Sequence, residues 1–101
     1  MKKGTYIGVK DVKDQKLHIG DVVYHAWYWD IPTEGEIITY YKFHKLTWNK
    51  KYKKVLLGKC HNIWKGKEVA WVSKEEFAAS NIPLETDFRI EEGRPVGRIW
   101  K

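Results

Sequence analysis

The chain has 101 residues, of which 43% are hydrophobic and 15% aromatic, so we expect one domain over residues 1–101 with a buried core rather than a disordered chain. It has a single cysteine, no signal-peptide pattern and no apolar run near the ~20 residues of a membrane span, which predicts a cytoplasmic protein without membrane contact. The net charge of +6 favours an acidic partner.

β-Strands dominate the first two thirds of the sequence. Gly20-Asp21 has turn chemistry, and the residues that follow it are β-branched and aromatic, which is typical of a buried strand. Pro32 and Gly35 then separate this strand from a second one. The predicted strands are residues 22–29, 36–46 and 55–61, and a short hairpin of residues 63–64 and 69–72 turns at Lys65-Gly66. Residues 48–54 are predicted to form an exposed hairpin tip.

One short helix is predicted near residues 73–80. Ser73 and Glu76 have the spacing of a capping box, in which the serine hydroxyl accepts a hydrogen bond from the glutamate amide. Val72 and Phe77 have the spacing of a hydrophobic staple around the cap. Asn81 and Pro83 end the helix. Two further strands are predicted near residues 88–90 and 96–100.

Short strands joined by tight turns, with one helical segment before the last strands, predict an all-β fold. The size fits a small SH3-like open barrel of five to six strands with one short helix. An OB-fold is the alternative. The SH3-like arrangement is favoured because more than three predicted strands precede the helix, whereas an OB-fold generally has its helix between the third and fourth strands.

Three segments carry a resemblance. They are Ile19-Gly20-Asp21-Val22-Val23-Tyr24, Glu34-Gly35-Glu36-Ile37 and Glu68-Val69-Ala70-Trp71-Val72-Ser73-Lys74-Glu75-Glu76-Phe77. Together they resemble small proteins of phage and prophage type over about residues 17–80. The resemblance implies an SH3-like barrel, and it brings no catalytic residues because most such proteins have no assigned function.

Catalytic and metal-binding patterns are absent from the sequence. There is no glycine-rich phosphate loop and no Gly-x-Ser-x-Gly motif. The histidines are too widely spaced for a structural zinc site, and Cys60 and His61 are adjacent, so on a strand they would point to opposite faces. We therefore expect no metal, no cofactor and no enzymatic activity.

The positive charge is concentrated in one stretch. Residues 42–67 contain nine lysines and no acidic residue, while the rest of the chain is net negative. Lysines protect strand edges and keep a β-rich protein soluble, but interspersed glutamates would serve solubility equally well. Lysine contacts phosphate as a point charge, so the composition favours contact with a phosphate backbone over the reading of bases.

Aromatic side chains are too numerous for one small core. With a hairpin centred on Pro32-Thr33, Trp29 would face Glu36, and Trp27 and Trp29 would then lie on the outer face of the sheet as a platform of rings edged by lysine. Packing of that face under the rest of the barrel is the alternative. Trp48 and Tyr52 flank lysines in the predicted tip, and rings beside lysines are typical of proteins that bind single-stranded nucleic acid.

The sequence therefore predicts a non-enzymatic module that binds a polyanion, most plausibly single-stranded nucleic acid or a nucleoprotein. The alternative is a small phage-type inhibitor that binds a host enzyme and blocks a defence system, as anti-CRISPR proteins do, because tyrosine and tryptophan dominate protein interfaces. The residues predicted to contact the partner are Trp27, Trp29, Lys42, Lys45, Trp48, Lys50, Lys51, Tyr52, Lys53, Lys54 and Lys59.

Overall fold

A computed structural model describes the backbone of residues 1–31, 36–58, 61–62 and 68–97. Side chains are described for the same residues except 27–31, 36–38 and 61–62. The predicted turns at Pro32-Thr33 and Lys65-Gly66 lie outside the described residues.

Nine strands and one helix make up the described part of the chain. They are β1 (Tyr6–Lys10), β2 (Lys16–His18), β3 (Val22–Ile31), β4 (Glu36–Asn49), β5 (Lys54–Leu57), β6 (His61–Asn62), β7 (Val69–Val72), α1 (Lys74–Ser80), β8 (Asp87–Glu91) and β9 (Arg94–Gly97). β1 and β2 form a separate antiparallel hairpin. The other strands form one antiparallel sheet in the order β6-β5-β4-β3-β7, with β8 on β4 and β9 on β8.

This sheet is curled into an open half-barrel, which confirms the predicted all-β fold with one short helix. Six of its strands have four residues or more, within the five to six expected, and the two-residue β6 is added at one edge. The β1–β2 hairpin was not predicted, because its few apolar residues are interrupted by Gly8 and lysines. The predicted third strand is shorter than expected and ends at Leu57, since Gly58 has a φ of +70°.

Both faces of the sheet carry buried side chains, because the core consists of two clusters on opposite sides of β3 and β4. The pairing of Trp29 with Ile38 differs by two residues from the expected pairing with Glu36, and a shift of two keeps every side chain on its predicted face. The first cluster is Leu17, Val23, Leu46, Leu57 and Val69. The second cluster is Phe43, Val72, Ile82 and Phe88.

The expected outer platform is wrong for the described part of that face. Val23 lies an even number of residues before Trp27 and Trp29 along β3, and it is 0% exposed. Tyr40 pairs with Trp27 and is 3% exposed. The reason is the unpredicted β1–β2 hairpin, since Leu17 belongs to the first cluster and Ile7 packs against it. Trp27 and Trp29 are placed only by their backbone pairing, and their side chains lie outside the described residues.

Helix α1 begins and packs as the sequence predicted. The Ser73 hydroxyl oxygen accepts a hydrogen bond from the Glu76 amide at 3.1 Å. Val72 and Phe77 both pack in the second cluster, where the rings of Phe77 and Phe43 meet edge to face at 5.1 Å. Asn81 ends the helix in the left-handed conformation, with a φ of 56°.

The carboxylate of Asp11 attaches the β1–β2 hairpin to the sheet. Asp11 is 2% exposed, and its Oδ1 accepts hydrogen bonds from the amides of Lys13 at 2.9 Å and Gln15 at 2.8 Å. Its Oδ2 accepts one from the amide of Trp71 in β7, also at 2.8 Å. A backbone bond from the Val12 amide to the Val69 carbonyl reinforces this junction. The buried Asp11 carboxylate therefore closes the turn before β2 and also accepts a hydrogen bond from an amide of β7.

Replacing Asp11 with Asn tests this attachment. The side chain of Asn has one acceptor oxygen, where that of Asp has two. At least one of the backbone amides bound by Asp11 would therefore face an NH₂ group. We expect the free energy of unfolding to fall by about 2–3 kcal/mol, because a buried donor loses a charged partner. Asp14→Asn is the matched control, since Asp14 is exposed and we expect a change within ~0.5 kcal/mol. Equal effects in urea denaturation would contradict the assignment.

Candidate functional site

The end of β4, a tight turn and β5 form the basic hairpin, which we define as residues 45–57. Its turn comprises residues 50–53. The Asn49 side-chain oxygen accepts a hydrogen bond from the Tyr52 amide at 2.9 Å, and Lys53 adopts a left-handed conformation with a φ of 52°. The turn is therefore ordered by a side-chain cap of its own.

One face of the basic hairpin belongs to the protein core. Leu46 pairs with Leu57, and both are buried in the first cluster. Trp48 pairs with Val55 on the same face, and both are half-buried. Trp48 was expected in the exposed tip, but it lies within β4, because the strand continues to Asn49. This ring is thus partly a packing residue.

The other face and the turn carry the exposed charge. Lys45, Lys50, Lys51, Lys53 and Lys54 are all exposed, as predicted. Tyr52 is 62% exposed, and the Lys51 ammonium lies 5.4 Å from the centre of its ring. In the described part of the chain, no carboxylate lies within ion-pair distance of Lys50, Lys51 or Lys53. Cations and one ring are thus presented together at the turn.

Two other predicted lysines are set apart from this surface. Lys42 is partly buried, and its ammonium lies 3.6 Å from the Asp87 carboxylate, opposite which it is paired in the sheet. Its charge is therefore balanced by an acid from β8, which sequence proximity did not reveal. Lys59 lies outside the described residues. The basic hairpin thus collects Lys45 and the turn lysines without Lys42.

A polar pair between buried His44 and exposed Glu85 lies at the base of the basic hairpin. His44 is 3% exposed, and its Nδ1 lies 2.8 Å from Oε1 of Glu85. The Glu85 amide also donates to the Phe43 carbonyl at 2.9 Å. A Cβ atom at Gly58 would collide with the Glu85 carboxylate and lie 2.9 Å from His44 Nδ1. The pair therefore attaches the segment before β8 to β4, and it requires glycine at position 58.

The described residues contain no group of three His, Cys, Asp or Glu side chains that could hold a metal ion. Cys60 lies outside the described residues, and so does the side chain of His61. The helix of the described part is too short and too polar to cross a membrane.

Truncation of Trp48 and of Tyr52 to alanine tests which of the two rings packs against the core. We expect Trp48→Ala to lower the free energy of unfolding by about 1–2 kcal/mol, less than a fully buried tryptophan because the residue is half-exposed. Tyr52→Ala should change it by less than ~0.5 kcal/mol. Urea denaturation measures both values. A larger loss for Tyr52→Ala than for Trp48→Ala would contradict the placement of the two rings.

A pair of glycine substitutions tests the contact below the hairpin. Gly8 and Gly58 both have positive φ, but a Cβ would meet no atom within 4 Å at Gly8. We expect Gly8→Ala to cost about 1 kcal/mol for backbone strain alone. Gly58→Ala should cost about 2–4 kcal/mol, because it also displaces Glu85 from His44. Equal costs in thermal unfolding would show that the pair contributes nothing to stability.

Comparison with known proteins gives no relative for this chain: no family model, no curated protein and no solved structure matches it. The resemblance to phage-type SH3-like proteins therefore stays a prediction. What the chain does has to be inferred from the geometry of the basic hairpin.

Proposed function

We propose that the chain is a non-enzymatic module that acts in the cytoplasm and binds a polyanion, namely single-stranded nucleic acid alone or within a nucleoprotein. The observation that supports this proposal is the cluster of exposed lysines on the turn of the basic hairpin. Lys50, Lys51 and Lys53 have no carboxylate partner among the described residues. Bringing like charges together in one turn is unfavourable, and bound phosphates would remove that repulsion.

The support under the turn favours this role. Leu46 and Leu57 fix the base of the basic hairpin in the first cluster, and the Asn49 cap fixes its turn. The lysines therefore belong to an ordered element of the backbone, so little backbone entropy is lost when the hairpin binds. A flexible single strand can adapt to such an ordered hairpin, while each flexible ammonium reaches a phosphate as a point charge.

The exposed ring favours a single strand over a duplex. Tyr52 stands beside Lys51, and an unpaired base that stacks on an aromatic ring contributes ~1–3 kcal/mol. Bases within a duplex are already stacked and do not offer their faces. Lysine contacts to the backbone carry no sequence information, so we expect binding that tolerates many sequences.

Removal of the turn charges tests the proposal. We expect the variant with Gln at Lys50, Lys51, Lys53 and Lys54 to bind a fluorescent 20-nucleotide oligothymidylate more weakly than the unmodified chain. Its plot of log affinity against log salt should flatten by up to ~0.7 for each phosphate that a lysine no longer neutralises. Fluorescence anisotropy over a salt series measures both quantities. Tyr52→Ala should weaken binding without changing the slope.

The matched control carries Gln at four exposed lysines elsewhere, namely Lys2, Lys3, Lys16 and Lys74. It has the same net charge as the hairpin variant, so it removes any effect of net charge alone, and we expect it to keep the salt slope. Equal weakening of both variants, or no binding of the unmodified chain at low salt, would overturn the proposal. A host protein retained from lysate after nuclease treatment would favour the inhibitor alternative.

A further inference from the structure

A second candidate site lies between α1, the β8–β9 hairpin and the face of the sheet that carries Phe43. It is a cleft of about 600 Å³. Its lining includes Lys13, Tyr24, Glu76, Ala79, Ile90 and Arg94. This volume falls within the ~300–1,000 Å³ of small-molecule sites. Phe43 is the residue of β4 that lines the cleft. Measured along the strand at ~3.3 Å per residue, it lies about 23 Å before Lys50 in the basic hairpin.

The floor of the cleft is apolar and largely aromatic. Phe43 and Phe88 stack at 4.4 Å between ring centres and are almost completely buried. Tyr24 meets both rings edge to face, at 6.5 and 6.4 Å, and is only half-buried, as is Ile90. No residue of α1 is buried, so the helix covers the second cluster incompletely. Part of the Tyr24 ring and part of the Ile90 side chain thus remain available to a flat apolar ligand.

The rim of the cleft carries two cations and one carboxylate. Lys13, Arg94 and Glu76 are all exposed, and none of them forms an ion pair with another described residue. The acid that faces Arg94 across the β8–β9 pairing is Glu91, but Glu91 accepts a hydrogen bond from Arg89 at 2.7 Å. The Arg94 guanidinium therefore keeps its donors for another anion.

We propose that this cleft binds a small planar aromatic molecule that bears one anionic group. The aromatic body lies against Tyr24 and Ile90, while its carboxylate or sulfonate group is held by Arg94 and Lys13. An arginine fork matches two oxygens of such a group. Glu76 disfavours a second negative charge, so the site selects singly charged ligands. This site is separate from the basic hairpin, and both can be occupied at once.

Titration of the ¹⁵N-labelled full chain with 2-naphthalenesulfonate, and separately with the neutral 2-naphthalenemethanol, tests the proposal. We expect saturable shifts of the backbone amides of Glu76, Ala79 and Ile90 with both compounds. The anionic compound should bind about fivefold more tightly, because two exposed ion pairs add to the same ring contact.

Two variants identify the groups responsible. Lys13→Gln with Arg94→Gln should abolish the preference for the anion. Lys16→Gln with Lys74→Gln, a matched pair of exposed lysines that do not line the cleft, should preserve it. Ala79→Phe fills the cleft from an exposed helical position and should abolish binding of both compounds. Thermal unfolding checks that each variant is folded, and the charge variants decide the question even if Ala79→Phe does not fold.

Several outcomes would overturn the proposal: no saturable shift at the lining amides, equal affinity for the two compounds, or an unchanged preference in the Lys13 and Arg94 variant. Shifts of the same amides with rising protein concentration and no ligand would assign the cleft to a second copy of this chain instead. Failure here leaves the basic hairpin proposal standing, because the oligothymidylate assay does not involve these residues.

Discussion

Alternation of side chains along β4 is the constraint on which the rest of the structure depends. Phe43 and Leu46 lie on opposite faces of this 14-residue strand, and both are almost completely buried, so each face needs its own cover. The β1–β2 hairpin covers one face with Leu17, and α1 with β8 covers the other with Phe77 and Phe88. Beyond these covers, the strand continues into the basic hairpin, whose outer side remains exposed.

The β1–β2 hairpin and the segment with α1 and β8 come from distant parts of the chain, and polar groups attach them to the sheet. Asp11 joins the first cover to β7, and Glu85 with His44 joins the segment before β8 to β4. Each attachment satisfies polar groups that would otherwise be buried at a cost of several kcal/mol. The exposed lysines at the turn have no such structural task, and this contrast is what points to a binding role for them.

Local features could be predicted from the sequence, while contacts between distant residues could not. The Ser73 cap and the strands flanking Pro32 depend on neighbouring residues, so pattern and propensity were sufficient. The attachment of Asp11 to Trp71 joins residues 60 positions apart and leaves no signal in either segment. Lys42 was grouped with the tip for the same reason, since Asp87 balances it from another strand. The position of Trp48 was wrong because strand ends are weakly encoded.

The central claim is that the basic hairpin, and not the net charge of the chain, makes the contact with a polyanion. Titration of the ¹⁵N-labelled chain with unlabelled oligothymidylate, followed by amide shifts at moderate salt, tests this claim most directly. The account predicts that the largest shifts fall within residues 45–56 and saturate together. Shifts of equal size spread over the exposed lysines near the amino terminus and on α1 would contradict it, because they would indicate attraction to charge without a site.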